Sequence, residues 1–266
     1  MATTAALVPI APVHAAAPDP SPRFGACPES TPVPPAPARV ECGWLSVPLD
    51  REHPDGEHIR IAVSRVRASG PANERRGILL VNPGGPGGPG LAYAITKRAK
   101  LPERVRRSYD VIGFDPRGTG RSAPAGCGSM GGLFASPGPE PVPSGHTAEK
   151  AYLNSLRRMA DDCAAGVGDA LAHLSTTQTA RDMDAVRSAL GEQRIGFLGV
   201  SYGSYLGAAY AELFPQRVAA WCSTASSVPR SGTTSICGRG GIRHVEAGGP
   251  AGQPDRFRRD ALDAER

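Results

Sequence analysis

The sequence is poor in aromatic residues and has no long hydrophobic run. Phe, Trp and Tyr make up 5% of its 266 residues, and no apolar stretch approaches the roughly 20 residues that a membrane-spanning helix needs. We therefore expect no membrane span. The net charge is +5, but the Lys and Arg residues form no basic stripe interleaved with aromatic side chains. This disfavours binding to nucleic acid.

Histidine is also scarce, with six residues in the chain. His53, His58, His146 and His173 have no neighbouring group at the spacing of metal ligands. No Gly-rich loop is followed by the GK[ST] that a phosphate-binding loop requires. We expect neither a metal nor a cofactor.

Glycine and proline, in contrast, are abundant, with 33 and 27 residues. Together with 40% hydrophobic residues, they indicate a loop-rich globular protein of one large or two small domains. The composition does not determine the oligomeric state.

The N-terminal segment and the cysteines point to export. Residues 1–17 contain a short apolar run and then small residues, as in a signal peptide whose basic start is missing, and residues 18–38 form a Pro-rich arm. Six cysteines suit a secreted or cell-envelope protein with disulfides. We expect Cys27 to pair with Cys42 and Cys127 with Cys163; free buried thiols are the alternative.

The hydrophobic pattern alternates between strands and helices. WLSVPLD (44–50) and HIRIAVSRVRA (58–68) alternate as a half-buried hairpin, whereas the runs beginning at 77, 109 and 195 are apolar throughout. Helices are predicted over LAYAITKRA (91–99), 147–167 and 176–191. Continuously apolar strands between helices predict an α/β sheet covered on both faces, with sites at the carboxyl ends of the strands.

Gly199-Val200-Ser201-Tyr202-Gly203 is a GxSxG pattern between a predicted strand and a predicted helix. In a nucleophile elbow the turn is too tight for side chains at the glycines, and it lifts the serine hydroxyl clear of the backbone. Ser201 is therefore the candidate nucleophile. An ordinary helix N-cap serine is the alternative.

A second turn, Pro83-Gly84-Gly85-Pro86-Gly87, follows the strand that ends at Asn82. Its backbone N–H groups could form an oxyanion hole with the N–H of Tyr202. Pro86 has no N–H to donate, so Gly84 and Gly85 are the candidates. A plain turn is the alternative.

Four motifs together, NPGGPGGPG, DVIGFDPRGTGRS, TTQTARDMDAVRSALG and GFLGVSYGSYLGAAYAELFP, closely resemble the secreted tripeptidyl aminopeptidases of the α/β-hydrolase superfamily, relatives of the proline iminopeptidases. The resemblance spans residues 40–218. It implies a Ser…Asp…His triad with Ser201 as nucleophile, and hydrolysis of peptides or of small esters and amides. Asp115 and Arg117 match family positions and are interpreted as structural. Asp182 and Asp184 are interpreted as a helix face.

The residues after Ser201 depart from this pattern. The acid should precede the histidine in the chain, but Asp255, Asp260 and Asp263 all follow His244, the one histidine in this region. The resemblance therefore yields no triad acid or base, and it predicts the N-terminal part of an α/β-hydrolase domain over residues 39–218.

A change of reading frame near Val218 would explain this departure. Back-translating residues 218–229 and regrouping from the third base of the Val218 codon permits Arg-Arg-Met-Val-Leu-Asp-Ser-Val-Val-Gly-Pro, which would suit a core strand. We therefore interpret residues 219–266 as an out-of-frame or disordered tail, and expect the 266-residue chain to be inactive or nearly so. The alternatives are a carboxylesterase-like hydrolase and a non-catalytic relic.

Overall fold

The protein is described here from a computed structural model, which describes residues 22–28, 31, 40–125, 143–225 and 234–239. Seven strands form one sheet: β1 Val40–Pro48, β2 His58–Val66, β3 Gly77–Asn82, β4 Tyr109–Phe114, β5 Ile195–Val200, β6 Val218–Ala225 and β7 Thr234–Arg239. The described residues also form five α-helices: α1 Leu91–Ala99, α2 Glu103–Ser108, α3 His146–Val167, α4 Thr176–Ala189 and α5 Tyr202–Leu213.

The strands lie in the order β1-β2-β4-β3-β5-β6-β7. The four strands from β4 to β6 run parallel, whereas β1, β2 and β7 pair antiparallel with their neighbours or one another. The loops after β3, β4 and β5 therefore leave the same edge of the sheet, and β3 lies between the other two. This order brings the two predicted glycine turns next to each other.

Both faces of the sheet are covered, as predicted. One face packs against α4 and α5, where Leu80, Met183 and Leu206 are buried. The opposite face packs against α1 through Val81 and Ile95. The predicted hairpin forms as β1 and β2, and the predicted helices correspond to α1, α3 and α4.

The sheet does not end at Val218, where the sequence predicted the end of the domain. β6 begins at that residue and pairs with β5, and β7 pairs in turn with β6. The physical reason is that the outer edge of β5 presents backbone N–H and C=O groups, and a neighbouring strand satisfies them whatever side chains it carries. Residues 1–21 and 240–266 lie outside the described residues, so the signal peptide and the frameshift stay predictions.

Cys27 and Cys42 form the first predicted disulfide, which ties the N-terminal arm to β1. Cys163 and Cys222 also take part in disulfide bonds. Cys127, the predicted partner of Cys163, lies outside the described residues, so the second pairing stays a prediction.

Candidate active site

Ser201 lies in the turn between β5 and α5, at the carboxyl edge of the sheet. Its backbone has φ 54° and ψ −123°, a region that is essentially reserved for glycine and that strains other residues by roughly 1–3 kcal/mol. Its side chain is exposed. A strained, exposed serine between a strand and a helix is the geometry of a nucleophile elbow.

The two glycines of the motif are required by close backbone contacts. A Cβ at Gly199 would lie 2.3 Å from the carbonyl oxygen of Gly203, and a Cβ at Gly203 would lie 2.9 Å from Oδ1 of Asn82. Both distances are shorter than real Cβ contacts allow. The GxSxG spacing is therefore a steric requirement of the elbow.

The glycine turn after β3 packs directly against the elbow. A Cβ at Gly84 would lie 2.3 Å from the carbonyl oxygen of Val200 and 3.0 Å from the backbone nitrogen of Tyr202. The structure thus brings together Ser201, Tyr202 and Gly84 of the predicted site. This contact exists because β3 and β5 are neighbours in register, with Asn82 opposite Gly199.

The two candidate loop donors differ in their hydrogen bonds. The Gly84 N–H donates to Oδ1 of Asn82 over 2.9 Å, so it is occupied. Within the described ranges, the Gly85 N–H has no hydrogen-bond partner. Of the two glycines, Gly85 is therefore the one with a donor to spare.

No described histidine or carboxylate contacts the Ser201 hydroxyl. His53 lies on the surface beside Asp50, whose hydrogen bond raises the pKa of the imidazole, and His58 bonds the carbonyl of Gly56. His146 begins α3. His244 and the later aspartates lie outside the described residues, as do any contacts they make.

Asp115 holds the loop after β4 in place. Its carboxylate is 2% exposed and accepts hydrogen bonds from the backbone N–H groups of Leu91 and Arg121, each over 2.9 Å. Both oxygens are thereby occupied by the backbone of neighbouring loops. These contacts agree with the structural role expected for Asp115.

Arg117 and Asp182 form a buried ion pair that the sequence did not reveal. Nε and Nη2 of Arg117 donate to the two oxygens of Asp182, each over 2.7 Å, and both side chains are fully buried. Arg51 donates to the same carboxylate. The Asp182 side chain points into the interior, where it neutralises the buried guanidinium of Arg117, 65 residues away in the chain. This contact corrects the interpretation of Asp182 as part of a helix face.

Asp184 belongs to a separate, partly buried cluster on α4. It pairs with Arg187 and Arg217 and accepts from the Tyr210 hydroxyl. Burial, reinforced by the Asp184 carboxylate, raises the pKa of Tyr210 well above its usual range. None of these groups contacts Ser201, so Asp184 plays no part in the elbow.

A cavity of about 250 Å³ lies beside the elbow. It is lined by the turn after β3, the loop after β4, the first turn of α4 and Tyr202, the residue after the nucleophile. The Tyr202 hydroxyl is hydrogen-bonded to Oγ1 of Thr176. This bond ties the residue after the nucleophile to the start of α4.

The described residues show neither a membrane-spanning helix nor a cluster of metal ligands. None of their helices has the length and hydrophobicity to cross a bilayer. They also contain no group of three or more His, Cys, Asp or Glu side chains positioned to hold a metal ion.

A mostly parallel sheet with a strained serine at a strand–helix elbow is the architecture of an α/β hydrolase. The family model described as "alpha/beta hydrolase fold" matches residues 77–236, and the chain belongs to this family. This confirms the fold class predicted from the sequence.

Named relatives refine the resemblance. The chain is 42% identical over 184 residues to a tripeptidyl aminopeptidase of Streptomyces lividans, covering 68% of this chain and 34% of the relative. It is 38% identical over 196 residues to the serine protease Hip1 of Mycobacterium tuberculosis, covering 73% and 37%. A carboxylesterase B of the same organism is 38% identical over 153 residues, covering 56% and 29%. The chain thus spans about a third of the length of these relatives.

Among solved structures, the proline iminopeptidase of Mycobacterium smegmatis is 20% identical, with a TM-score of 0.38 over 66% of this chain and 41% of that one. The predicted resemblance to aminopeptidases of the α/β-hydrolase superfamily is confirmed by the family match and by the identity to the tripeptidyl aminopeptidase and the Hip1 serine protease.

Proposed function

We propose that the protein is a serine hydrolase that cleaves peptide bonds, in the manner of a tripeptidyl aminopeptidase, with Ser201 as the nucleophile. The observation that carries this proposal is the strained, exposed Ser201 with the Gly84 backbone packed against the next residue, Tyr202. Backbone strain persists only where the surrounding structure imposes it, and it concentrates at active sites.

The reaction assigned to this geometry is acyl transfer. Oγ of Ser201 bonds to the carbonyl carbon, a base takes its proton, and the carbonyl oxygen becomes negative. The N–H groups of Tyr202 and Gly85 are the proposed donors to this oxygen, with Gly84 shaping the turn between them. The C–N bond then breaks, the amine leaves with the proton, and water releases the acyl group from Ser201.

The peptide substrate rests on the relatives. The tripeptidyl aminopeptidase and the Hip1 serine protease match more of this chain than the carboxylesterase does. Those names belong to proteins about three times as long as the matched region. Peptides are accordingly proposed as the substrate class.

Within the described residues, no side chain is placed to act as the general base for Ser201. A serine hydroxyl is a weak nucleophile until a neighbouring base accepts its proton. We therefore propose that the 266-residue chain by itself reacts slowly. Free imidazole in the buffer would then substitute for the base.

Fluorophosphonate labelling tests both the assignment of Ser201 as the nucleophile and the slow reaction of the chain without a base. We expect mass spectrometry to locate the adduct on Ser201, S201A to remain unlabelled, and the control S204A to label like the wild type. We expect imidazole to accelerate labelling in proportion to its concentration. Fast labelling at a rate that does not depend on imidazole would show that the chain supplies its own base. A folded chain that stays unlabelled throughout would overturn the nucleophile and favour a non-catalytic relic.

A second candidate is a carboxylesterase, which the 38% identity to carboxylesterase B favours. Phosphonate probes that differ only in the attached group, a tripeptide or a short alkyl chain, separate the two candidates. Faster Ser201 labelling by the tripeptide probe supports a peptidase. The reverse preference would replace it with an esterase.

We also propose that the protein works outside the cytoplasm or in the cell envelope. Cys27, Cys42, Cys163 and Cys222 are all disulfide-bonded, and such bonds persist in oxidising compartments.

A further inference from the structure

A second cavity, of about 510 Å³, lies along one side of α4 and is called the α4 cavity below. Its volume falls within the range of small-molecule sites, about 300–1,000 Å³. Arg181, Ala185 and Ser188 line it from α4, at the spacing of one helix face. The segment after β1 and Phe214, at the end of α5, supply the other walls. The α4 cavity shares no lining residue with the cavity beside the elbow.

Arg181 brings a positive charge without a counter-charge to the α4 cavity. Its side chain is partly exposed, and none of its guanidinium nitrogens is sealed from solvent. Within the part of the chain that the structure describes, it forms neither a hydrogen bond nor an ion pair. A guanidinium stays charged at all ordinary pH values and presents its donors in a planar fork. These donors are therefore accessible to a ligand in the cavity.

Arg51 adds a second guanidinium from the segment after β1. Its Nη2 donates to Asp182 over 2.5 Å, and its side chain is 20% exposed. Its Nη1 reaches the surface and has no partner among the described residues. Because Asp182 also pairs with Arg117, one carboxylate serves two guanidiniums. One positive charge of this group is therefore left without a counter-charge.

The one acidic residue that lines the α4 cavity, among the described residues, does not cancel this charge. Asp184 is already paired with two arginines, Arg187 and Arg217. Glu52 and Asp55, in the turn after β1, do not line the cavity. The α4 cavity therefore has an excess of positive charge, which favours an anion.

The rest of the lining is mostly apolar. Pro48 and Pro54 lie on either side of Arg51 in the chain, and Phe214 forms part of the opposite wall. The Phe214 ring packs against Tyr210, with the ring centroids 5.2 Å apart. A guanidinium fork matches the geometry of a carboxylate, and the apolar groups beside it suit a hydrocarbon body. Inorganic phosphate would leave these apolar walls unused.

We propose that the α4 cavity binds an organic carboxylate with an apolar body, held by Arg181 and by Nη1 of Arg51. The carboxylate could belong to a free acid or to the C-terminal residue of a peptide; the recognition chemistry is the same. Binding does not involve Ser201, so it goes beyond the proposed hydrolysis and can fail independently of it.

Calorimetric titration with 3-phenylpropionate tests the proposal on the full chain. We expect it to bind roughly tenfold more tightly than 3-phenylpropanamide, which has the same shape without the charge, because hydrogen bonds between two charged groups are the stronger ones. Equal affinities, or no measurable binding of either compound, would overturn the proposal. Tighter binding of inorganic phosphate than of 3-phenylpropionate would overturn the assignment to an organic carboxylate.

Arg181→Gln is the direct variant. Because Arg181 has no partner in the described part of the chain, its loss should leave the fold intact. We expect roughly a tenfold loss of 3-phenylpropionate affinity. The matched change Arg158→Gln, at an exposed position of α3 outside the cavity lining, should leave the affinity unchanged. Undiminished binding to Arg181→Gln would contradict the assignment.

A second pair of variants tests the position of the site independently of Arg181. Ser188 is exposed and lines the cavity, so both Ser188→Glu and Ser188→Gln should fold. The two side chains have the same shape, but only glutamate repels a carboxylate. We expect Ser188→Glu to bind 3-phenylpropionate several-fold more weakly than Ser188→Gln. Equal affinities would exclude the α4 cavity as the site.

A short peptide identifies the source of the carboxylate. Tighter binding of acetyl-Ala-Phe, which has a free C-terminal carboxylate, than of 3-phenylpropionate would assign the cavity to peptide C-termini. The reverse preference would assign it to free acids.

Discussion

Gly84 shows how closely the candidate site is packed at the scale of single residues. A Cβ there would meet the Val200 carbonyl oxygen at 2.3 Å, and the φ of this residue is 91°. Gly87, in the same turn, has a similar φ of 83°, but its Cβ would meet nothing closer than 3.7 Å. The two glycines thus share a positive φ, which glycine adopts without strain, and they differ in how closely neighbouring atoms approach.

We predict that Gly84→Ala is the more damaging of the two alanine variants. Strain in the left-handed region alone should lower the free energy of unfolding by about 1–2 kcal/mol in Gly87→Ala. The additional clash in Gly84→Ala should lower it by about 1–3 kcal/mol more. Urea unfolding of both variants measures the difference. Equal losses would show that the turn does not pack against the elbow.

At the scale of elements, α4 is attached to the sheet by the Arg117–Asp182 pair. Arg117 also donates to the backbone carbonyls of Leu49 and His173. One guanidinium thereby joins the end of β1, the loop after β4 and the start of α4. The position of α4 in turn sets one wall of the cavity.

We predict that Asp182→Asn lowers the free energy of unfolding by about 3–5 kcal/mol, because it leaves a buried guanidinium without a counter-charge. The matched change in α3, Asp161→Asn, lies on an exposed surface and should alter stability by less than about 0.5 kcal/mol. Chemical denaturation of both proteins is the measurement. Similar stabilities for the two variants would mean that the pair is not buried in solution.

At the scale of the whole molecule, the sheet and one disulfide hold distant parts of the chain together. Cys27 and Cys42 are separated by 15 residues, and a loop of this length corresponds to about 3 kcal/mol of stabilisation in the chain-entropy model. The bond secures the N-terminal arm to β1, the strand at one edge of the sheet.

We predict that the double variant Cys27→Ala/Cys42→Ala loses about 2–4 kcal/mol of unfolding free energy. Wild-type protein treated with a reductant should fall to the same stability or below it, since the other disulfides open as well. Urea unfolding with and without reductant measures both. Full stability after verified reduction would remove the support that disulfides give to an oxidising compartment.

The sequence by itself determined the class of fold and the elbow. Strand and helix periods are local properties of the chain, and glycine at position 199 is required by a contact with Gly203, four residues along the chain. The glycine turn after β3 was predicted for the same reason. Each of these features depends on neighbours in sequence.

The tertiary structure decided what depends on residues far apart in the chain. That Asp182 pairs with Arg117, that β6 continues the sheet along β5, and that a cavity forms beside Tyr202 all require the sheet order to be known. Even the choice between Gly84 and Gly85 as the free donor depended on the side chain of Asn82. Hydrogen-bond partners are set by positions in space, which no local pattern specifies.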